Sequence, residues 1–463
     1  MRDIRNLFAA MLAVVTAAFL APTTASAATL YVDDDWTGFA TGTSVSIGAA
    51  SATIGTDAFA TVTAAIAASA NGDIIQVAVG TYSEIVTVNK QLELRGAQYG
   101  IAASGSARAC GESLLQGTGG SSSYNVHVLA DNVILDGFSI RLRKQPSDTT
   151  RFARDGINVR NDHVAKPGDA SIGAYRTGVQ IRNNWIYSQI FALTGQQQGI
   201  TFGESPNNNA PSAPLRAECA NVTITGNWIE VLNTATSGGP RGMVFGNHVQ
   251  GIIAVGDTAS FLYSNFTVTN NTFIASNTPF FQSQLRTKLN NMVFTGNTFK
   301  NGRSGVSIAA TMTNSDFSNN IVEDITTGSG LTLCLVNSTA NNNTIRRIAG
   351  GSALVLSGGK PTDQTYFQST TNSTLSGNNI TYNDVAQATG VTAIIGLNVQ
   401  PGLNSSGVSV AGTLGVDAAT ITLSGNTFTN SGFTALPSAA ISQRSLGTSL
   451  NAVHATTSRA RCR

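Results

Sequence analysis

The apolar positions of the middle and C-terminal chain fall in short alternating runs, each closed by a small polar corner. Aligned on one asparagine, QIRNNWIYS, TITGNWIEV, TVTNNTFIA, VFTGNTFKN, DFSNNIVED, TANNNTIRR, TLSGNNITY and TLSGNTFTN superimpose at Asn184, Asn227, Asn271, Asn297, Asn320, Asn343, Asn378 and Asn426. The steps are 43, 44, 26, 23, 23, 35 and 48 residues. They read as one turn of about 23, two turns of about 22, or a turn carrying an insertion. Second apolar segments lie between these corners: RGMVFG from Arg241, SGVSIAA from Ser304, SGLTLCLV from Ser329 and GSALVLSG from Gly351. One unit is therefore strand, Asn turn, strand, turn.

Strands this short and alternating must bury one face, yet the pattern offers no helices to cover a sheet. Coiling the chain so that each strand pairs with its equivalent one turn away solves the problem, because stacked rungs then share an apolar interior. Asn suits the corner: it tolerates the left-handed conformation, and stacked side-chain amides can pair along the axis. An antiparallel sandwich also gives periodic turns but does not predict the same residue at the same corner eight times. The fold class predicted is all-β, a parallel β-helix filling residues 28–436 as one domain.

The N-terminal part predicts a cap for that solenoid. Helical spacing of Phe59, Val62 and Ile66 places a capping helix within 57–72, stopped by Asn71-Gly72. The strand Ile74 to Val79 and two shorter ones near Val86 and Leu92 follow. Here DAFATVTAAIAASANGDIIQVAVGTYSEIVTVNKQLELRGA (57–97) resembles the capping helix and first rungs of the pectin lyase-like superfamily of right-handed β-helix proteins, pectinesterases included. The resemblance implies a right-handed coil, and it leaves activity open, since that fold hosts lyases, hydrolases, esterases, epimerases and adhesins. The pectinesterase motifs expected after GTYSEIV are missing, so Glu84 reads as a structural residue. The paired Asp of polygalacturonases is missing too: Tyr187 to Phe191 stands at that place.

Composition agrees with the coil. Charged residues are 11% of the chain, against about 25% in ordinary soluble proteins, and 32 of the 40 Asn fall between Asn183 and Asn430. Lys+Arg 27 against Asp+Glu 25 leaves no basic face for nucleic acid. Residues 1–27 read as a secretory signal peptide: Arg2 and Arg5, an apolar run Leu7 to Ala21, then Ala25-Ser26-Ala27. No later stretch is apolar enough to span a bilayer, so the mature chain is expected to be a secreted or cell-surface monomer, periplasmic in a Gram-negative host. Cys110, Cys219, Cys334 and Cys462 are too dispersed for a metal cluster or a disulfide scaffold. Residues 437–463 show no repeat and read as an irregular, disordered tail.

Candidate chemistry gathers in one region. Two excursions between rungs are expected, 141–176 and 203–219; segment 141–169 holds 11 charged residues in 29, among them Arg154, Asp155, Asp162 and Lys166, with His163 beside them. These could neutralise a uronate carboxylate and move a proton, the needs of a polysaccharide lyase; a solvated excursion is the plainer reading. Trp185 and Trp228 replace Thr in the slot after the Asn corner and read as exposed platforms two rungs apart, roughly 9–10 Å, able to stack on sugars. Asp33, Asp35 and Thr37 resemble the first half of a Ca²⁺ loop, whose closing Glu is replaced by Ser44. His127, His163, His248 and His454 stand isolated in sequence. Two functions follow. One is a β-helix presenting a face to polysaccharide or cell-surface glycan without a catalytic constellation, and the other is a lyase-like enzyme with its site in 141–230.

Overall fold

Every long sheet is parallel and joins strands one turn apart, as in a right-handed parallel β-helix, which is the fold of this chain. In this computed structural model the described residues are 27–106, 108, 111–117, 124–142, 155–159, 176–188, 197–202, 216–232, 240–245, 261–282, 287–308, 311–349, 352–356, 370–383, 395–399, 420–431, 439–443 and 455–459. A representative turn runs from Gln180–Arg182 in sheet 1 through the Asn corner to Trp185–Ser188 in sheet 2, then Gln198–Phe202 in sheet 3, and returns as Arg216–Thr225. Register holds from rung to rung: Ile181 lies beside Ile224, Ile186 beside Ile229 and Ile200 beside Met243, all fully buried.

The corner from sheet 1 to sheet 2 divides its work between two residues. The left-handed position precedes the aligned Asn and is filled by Asn183, Gly226, Asn270, Gly296, Asn319, Asn342, Gly377 and Gly425. The aligned Asn is buried and turns its amide along the axis. Asn184 Nδ2 donates to Asn227 Oδ1 at 3.1 Å, Asn227 to Asn271 at 2.9 Å and Asn271 to Asn297 at 3.0 Å; the chain continues through Asn320, Asn343 and Asn378 to Asn426. Each Oδ1 also accepts the backbone N–H of the previous rung's Asn, as Asn227 does from Asn184 at 2.9 Å. The second amide hydrogen goes to a main-chain carbonyl, Ile181 O at 2.8 Å in the case of Asn227.

Each step of 43 or 44 residues is a single turn, since Trp185 pairs with Trp228 and Trp228 with Thr272 on adjacent strands. The two Trp are thus one rung apart, about 4.8 Å rather than 9–10 Å. Extra length enters after sheet 2 or sheet 3, never at the Asn corner of these turns.

Three further boundaries differ from the sequence expectation. The capping helix is shorter, Val62–Ala68, because Ala58–Phe59 pairs as a strand with Tyr31 and Val32, and Thr61 caps the helix instead. Glu84 accepts Val62 N–H and Thr63 N–H at 2.8 Å each, and Lys90 Nζ donates to Ile66 O, Ala67 O and Ser69 O, so each end of the helix dipole meets an opposite charge. The expected excursion 141–176 contains a rung strand, Asp155–Val159, and the expected excursion 203–219 ends inside Arg216–Thr225. Finally, the tail expected to be disordered carries Ala439–Gln443 and Ala455–Arg459, which pair in parallel with Ile395–Val399 and Asn426–Ser431. The signal-like segment 1–26 lies outside the described residues.

Replacing Asn227 by Ala removes two amide donors and an acceptor from a site that excludes water. Each group left unpaired costs about 1–3 kcal/mol, so Asn227→Ala should lower the urea midpoint clearly. Thr422→Ala, at an exposed strand position, should stay within about 0.5 kcal/mol. Equal midpoints for the two would show that the ladder does not stabilise the coil.

Candidate functional site

Sheet 3 is built from a five-residue unit whose second slot is small. Asp155-Gly156-Ile157-Asn158-Val159, Gln198-Gly199-Ile200-Thr201-Phe202 and Arg241-Gly242-Met243-Val244-Phe245 stack on one another, and Tyr124 to Val128 precedes them. Pairing passes from Asp155 beside Gln198 straight to Ile157 beside Ile200. A Cβ on Gly156 would lie 2.6 Å from Ile186 Cγ2 and 2.7 Å from Gly199 O. At Gly156 slot 2 therefore points into the core with slot 3, and only glycine fits there; the rung before it carries Asn125 in that slot. Slots 1 and 4 are thrown together onto the outer face: Asn158 Nδ2 donates to Asp155 Oδ2 at 2.9 Å, and Thr201 Oγ1 donates to Gln198 Oε1 at 2.7 Å.

Four successive rungs fill these outer slots with functional groups. Slot 1 reads Tyr124, Asp155, Gln198, Arg241; slot 4 reads His127, Asn158, Thr201, Val244. Tyr124 and His127 rings lie 4.1 Å apart at 34°. His127, Asp155, Asn158, Gln198 and Thr201 are all buried. Among the described residues, Asn158 Oδ1 and Gln198 Nε2 are buried without a hydrogen-bond partner, which leaves an acceptor and a donor unused on neighbouring rungs. Further along, the same unit carries Ser304 and Ser307, then Ser329 and Thr332, then Ser352 and Val355, so the ionisable groups are confined to the N-terminal rungs.

Of the residues singled out from sequence, Asp155 belongs to this cluster, whereas Arg154, Asp162, His163 and Lys166 lie outside the described residues. Tyr124, His127, Asn158, Gln198, Thr201 and Arg241 were missed. The signal that finds Asn158, Gln198, Thr201 and Arg241 is the glycine slot: DGINV and QGITF are members of the repeat recognised in RGMVFG and SGLTLCLV. His127, isolated in sequence, is brought beside Asn158 by register alone.

Trp185 and Trp228 occupy the outer face of sheet 2, both half-buried. Trp185 stacks on Tyr187 at 4.3 Å and 20°. Trp228 Nε1 donates to Glu230 Oε2 at 3.1 Å, and Lys300 Nζ stands 5.3 Å from the Trp228 ring centroid. The loop after sheet 1's Glu93–Arg95 closes over Trp228: Gly105 approaches the indole so nearly that a Cβ there would collide with it. Arg108 fastens this loop, donating to both carboxylate oxygens of Glu112 and, at 2.7 Å each, to Ile101 O and Asn183 O. Burial pushes the Tyr187 hydroxyl above the usual phenol range, opposed in part by the neighbouring Arg141 guanidinium.

At the N-terminus, Asp33, Asp34 and Asp35 bring carboxylate oxygens within 4.8 Å of one another. Thr37 does not join them, for its hydroxyl donates to Asp34 O at 2.8 Å. Asp33 accepts from Asp35 N–H at 3.1 Å and Asp34 from Thr81 N–H at 2.9 Å, so two of the three carboxylates cap and clasp the backbone. Burial first, then repulsion from Asp35 and Asp34, raises the Asp33 carboxyl above its ordinary range.

No protein-family model matches the chain, and no curated protein matches it. Among solved structures it is similar to an alginate lyase from Paenibacillus sp. str. FPU-7 (13% identity, 83% of this chain and 94% of that one, TM-score 0.33). It is also similar to a GH136 lacto-N-biosidase from Eubacterium ramulus (9% identity, 87% and 64%, TM-score 0.41) and to the surface protein and adhesin PfbA of Streptococcus pneumoniae (11% identity, 78% and 89%, TM-score 0.33). Among the described residues, no helix is long and apolar enough to cross a membrane.

Substituting Gly156 by Ala forces a methyl group into Ile186 and the Gly199 carbonyl. Overpacking of this kind costs about 1–3 kcal/mol, so the urea midpoint of Gly156→Ala should fall accordingly. An unchanged midpoint would show that slot 2 does not face the core.

Proposed function

We propose that the chain is an exported carbohydrate-binding β-helix protein that acts on an acidic polysaccharide, with its reacting centre on the outer face of sheet 3. One observation carries this reading. A phenol, an imidazole, a carboxylate, two carboxamides and a guanidinium gather on four successive rungs, in a coil whose equivalent slots elsewhere hold mainly Ser, Thr and Val. Export rests on the signal-like residues 1–27.

A uronate suits such a set. The Arg241 guanidinium and the amide N–H groups of Asn158 and Gln198 supply donors for the sugar carboxylate, and its neutralisation acidifies the proton on the adjacent carbon. His127 or Tyr124 is the type of group that removes that proton. The electron pair released becomes a carbon–carbon double bond as the neighbouring glycosidic C–O bond breaks, and the departing oxygen takes up a proton. Two shorter chains result, one ending in an unsaturated uronate, with no water or oxidant consumed. Hydrolysis would need two flanking carboxyl groups, and Asp155 is the one carboxylate in slots 1 and 4 of these rungs. Binding without turnover is the second reading, favoured by the burial of His127, Asp155 and Gln198.

The full chain incubated with pectate and with alginate, with and without Ca²⁺, should generate ultraviolet absorbance from the unsaturated product. His127→Ala or Tyr124→Phe should slow it by about 10²-fold or more, the usual worth of positioned proton transfer. Retention of the polymers without any rise in absorbance would favour the binding reading over turnover.

A further inference from the structure

The outer face of sheet 2 next to this cluster holds a second feature that the proton-transfer chemistry does not use. Arg141, Tyr187 and Glu230 are register neighbours, with Trp185 and Trp228 in the parallel column two residues back. Trp185 lies flat on Tyr187, and Arg141 donates to Gln116 Oε1. Two donors here are buried without a hydrogen-bond partner among the described residues, Trp185 Nε1 and Arg141 Nε. Tyr187 stands between them, stacked on one and in register with the other. Orphaned donors beside a flat aromatic pair match a ligand that combines a stacking face with ring-borne acceptor oxygens, which is the chemistry of a sugar.

Charge and position narrow the occupant. Arg141 flanks the aromatic pair on one side, and Lys300 stands over Trp228 on the other, so a negatively charged saccharide is complementary to both ends. The two sheets are also tied together from inside: Asn125, next to Tyr124 but fully buried, donates through Nδ2 to Arg141 O at 3.0 Å. Gly105 and the Arg108-fastened loop hold Trp228 as a fixed rim.

We propose that Trp185, Tyr187 and Arg141, bounded by Trp228 and Lys300, form a stacking subsite that holds an acidic polysaccharide as it passes from sheet 3 around the edge onto sheet 2. The assignment rests on the carbohydrate reading above but not on turnover. The chain has three Trp, so a Trp36→Phe background isolates the signal of Trp185 and Trp228. Titration of that full chain with oligogalacturonate and oligomannuronate should change tryptophan fluorescence saturably, and more tightly than with a neutral cello-oligosaccharide. By calorimetry, Trp185→Ala should weaken the uronate Kd at least tenfold, Trp185→Phe should weaken it less because a stacking ring remains, and Arg141→Gln should remove the preference for uronate over the neutral sugar. Thr422→Ala, at an exposed strand position outside both clusters, should bind as the parent does, and because binding is read directly the result holds even where the parent turns nothing over. No binding of any oligosaccharide, or an unchanged Kd in Trp185→Ala with the unfolding midpoint preserved, overturns the proposal.

Discussion

The buried amide ladder is the constraint on which the rest of this molecule depends. A coil of short parallel strands must turn sharply at the end of sheet 1, and the turn points backbone N–H groups into a space too narrow for water. The ladder Asn supplies an acceptor to the backbone N–H of the rung before and to that rung's amide, while its own amide hydrogens reach the next Asn and a carbonyl of the preceding rung. Because every amide needs the one after it, the corner has to fall at the same place in each turn. This fixes the register of sheets 1 and 2, and through them the apolar interior.

A fixed corner leaves the other corners open to change. The steps of 43 and 44 residues contribute a single turn each, and the surplus over about 23 residues enters after sheets 2 and 3. Among the rungs with surplus are those whose sheet 3 slots hold Tyr124, His127, Asp155, Asn158, Gln198 and Arg241; the later steps of 35 and 48 residues are single turns with surplus too. An inward slot 2, glycine in three of these four rungs, permits this concentration, since turning two successive positions inward leaves slots 1 and 4 side by side outside. The candidate site is thus a product of backbone geometry: groups 34 and 114 residues apart in sequence, Tyr124 from Asn158 and His127 from Arg241, come within a few rungs of each other.

Much of the coil was legible in the sequence because its signal is repetition. The eight Asn corners could be aligned by eye, and the residue class at each followed from the need for a left-handed turn and a stacking amide. What length alone could not separate was an inserted loop from an extra rung, since both add about twenty residues; hence Trp185 and Trp228 were placed two rungs apart when they are neighbours. The site was obscured for a related reason. DGINV sits among charges, so its membership in the glycine-slot repeat, plain in SGVSIAA and SGLTLCLV, was masked by composition. His127 had no sequence signature at all, because its neighbour Asn158 is supplied by register.

The scarcity of charge follows from the same stacking. In a parallel coil each outward residue sits over its equivalent at about 4.8 Å, so a repeat that carried Lys or Glu at one slot would line up like charges. At 4 Å such a pair repels by about 1 kcal/mol in water and about 4 kcal/mol near a protein surface. The molecule avoids this by using Thr, Ser and Asn outside, and where it does use charge the sign alternates from rung to rung. Arg95, Asp136 and Arg182 form one such column, and Lys300, Glu323 and Arg346 another. Asp324 and Arg347 pair in the same way, and the Arg347 guanidinium holds the Asp324 carboxyl below its usual range. Sheet 3 departs from the rule: the register neighbours of Asp155 are Tyr124 and Gln198, not cations. A carboxylate and an imidazole gathered with carboxamides and a guanidinium in one buried column depart from the Ser, Thr and Val of the equivalent slots, and that departure, more than the local density of charge, supports the site proposed for this face.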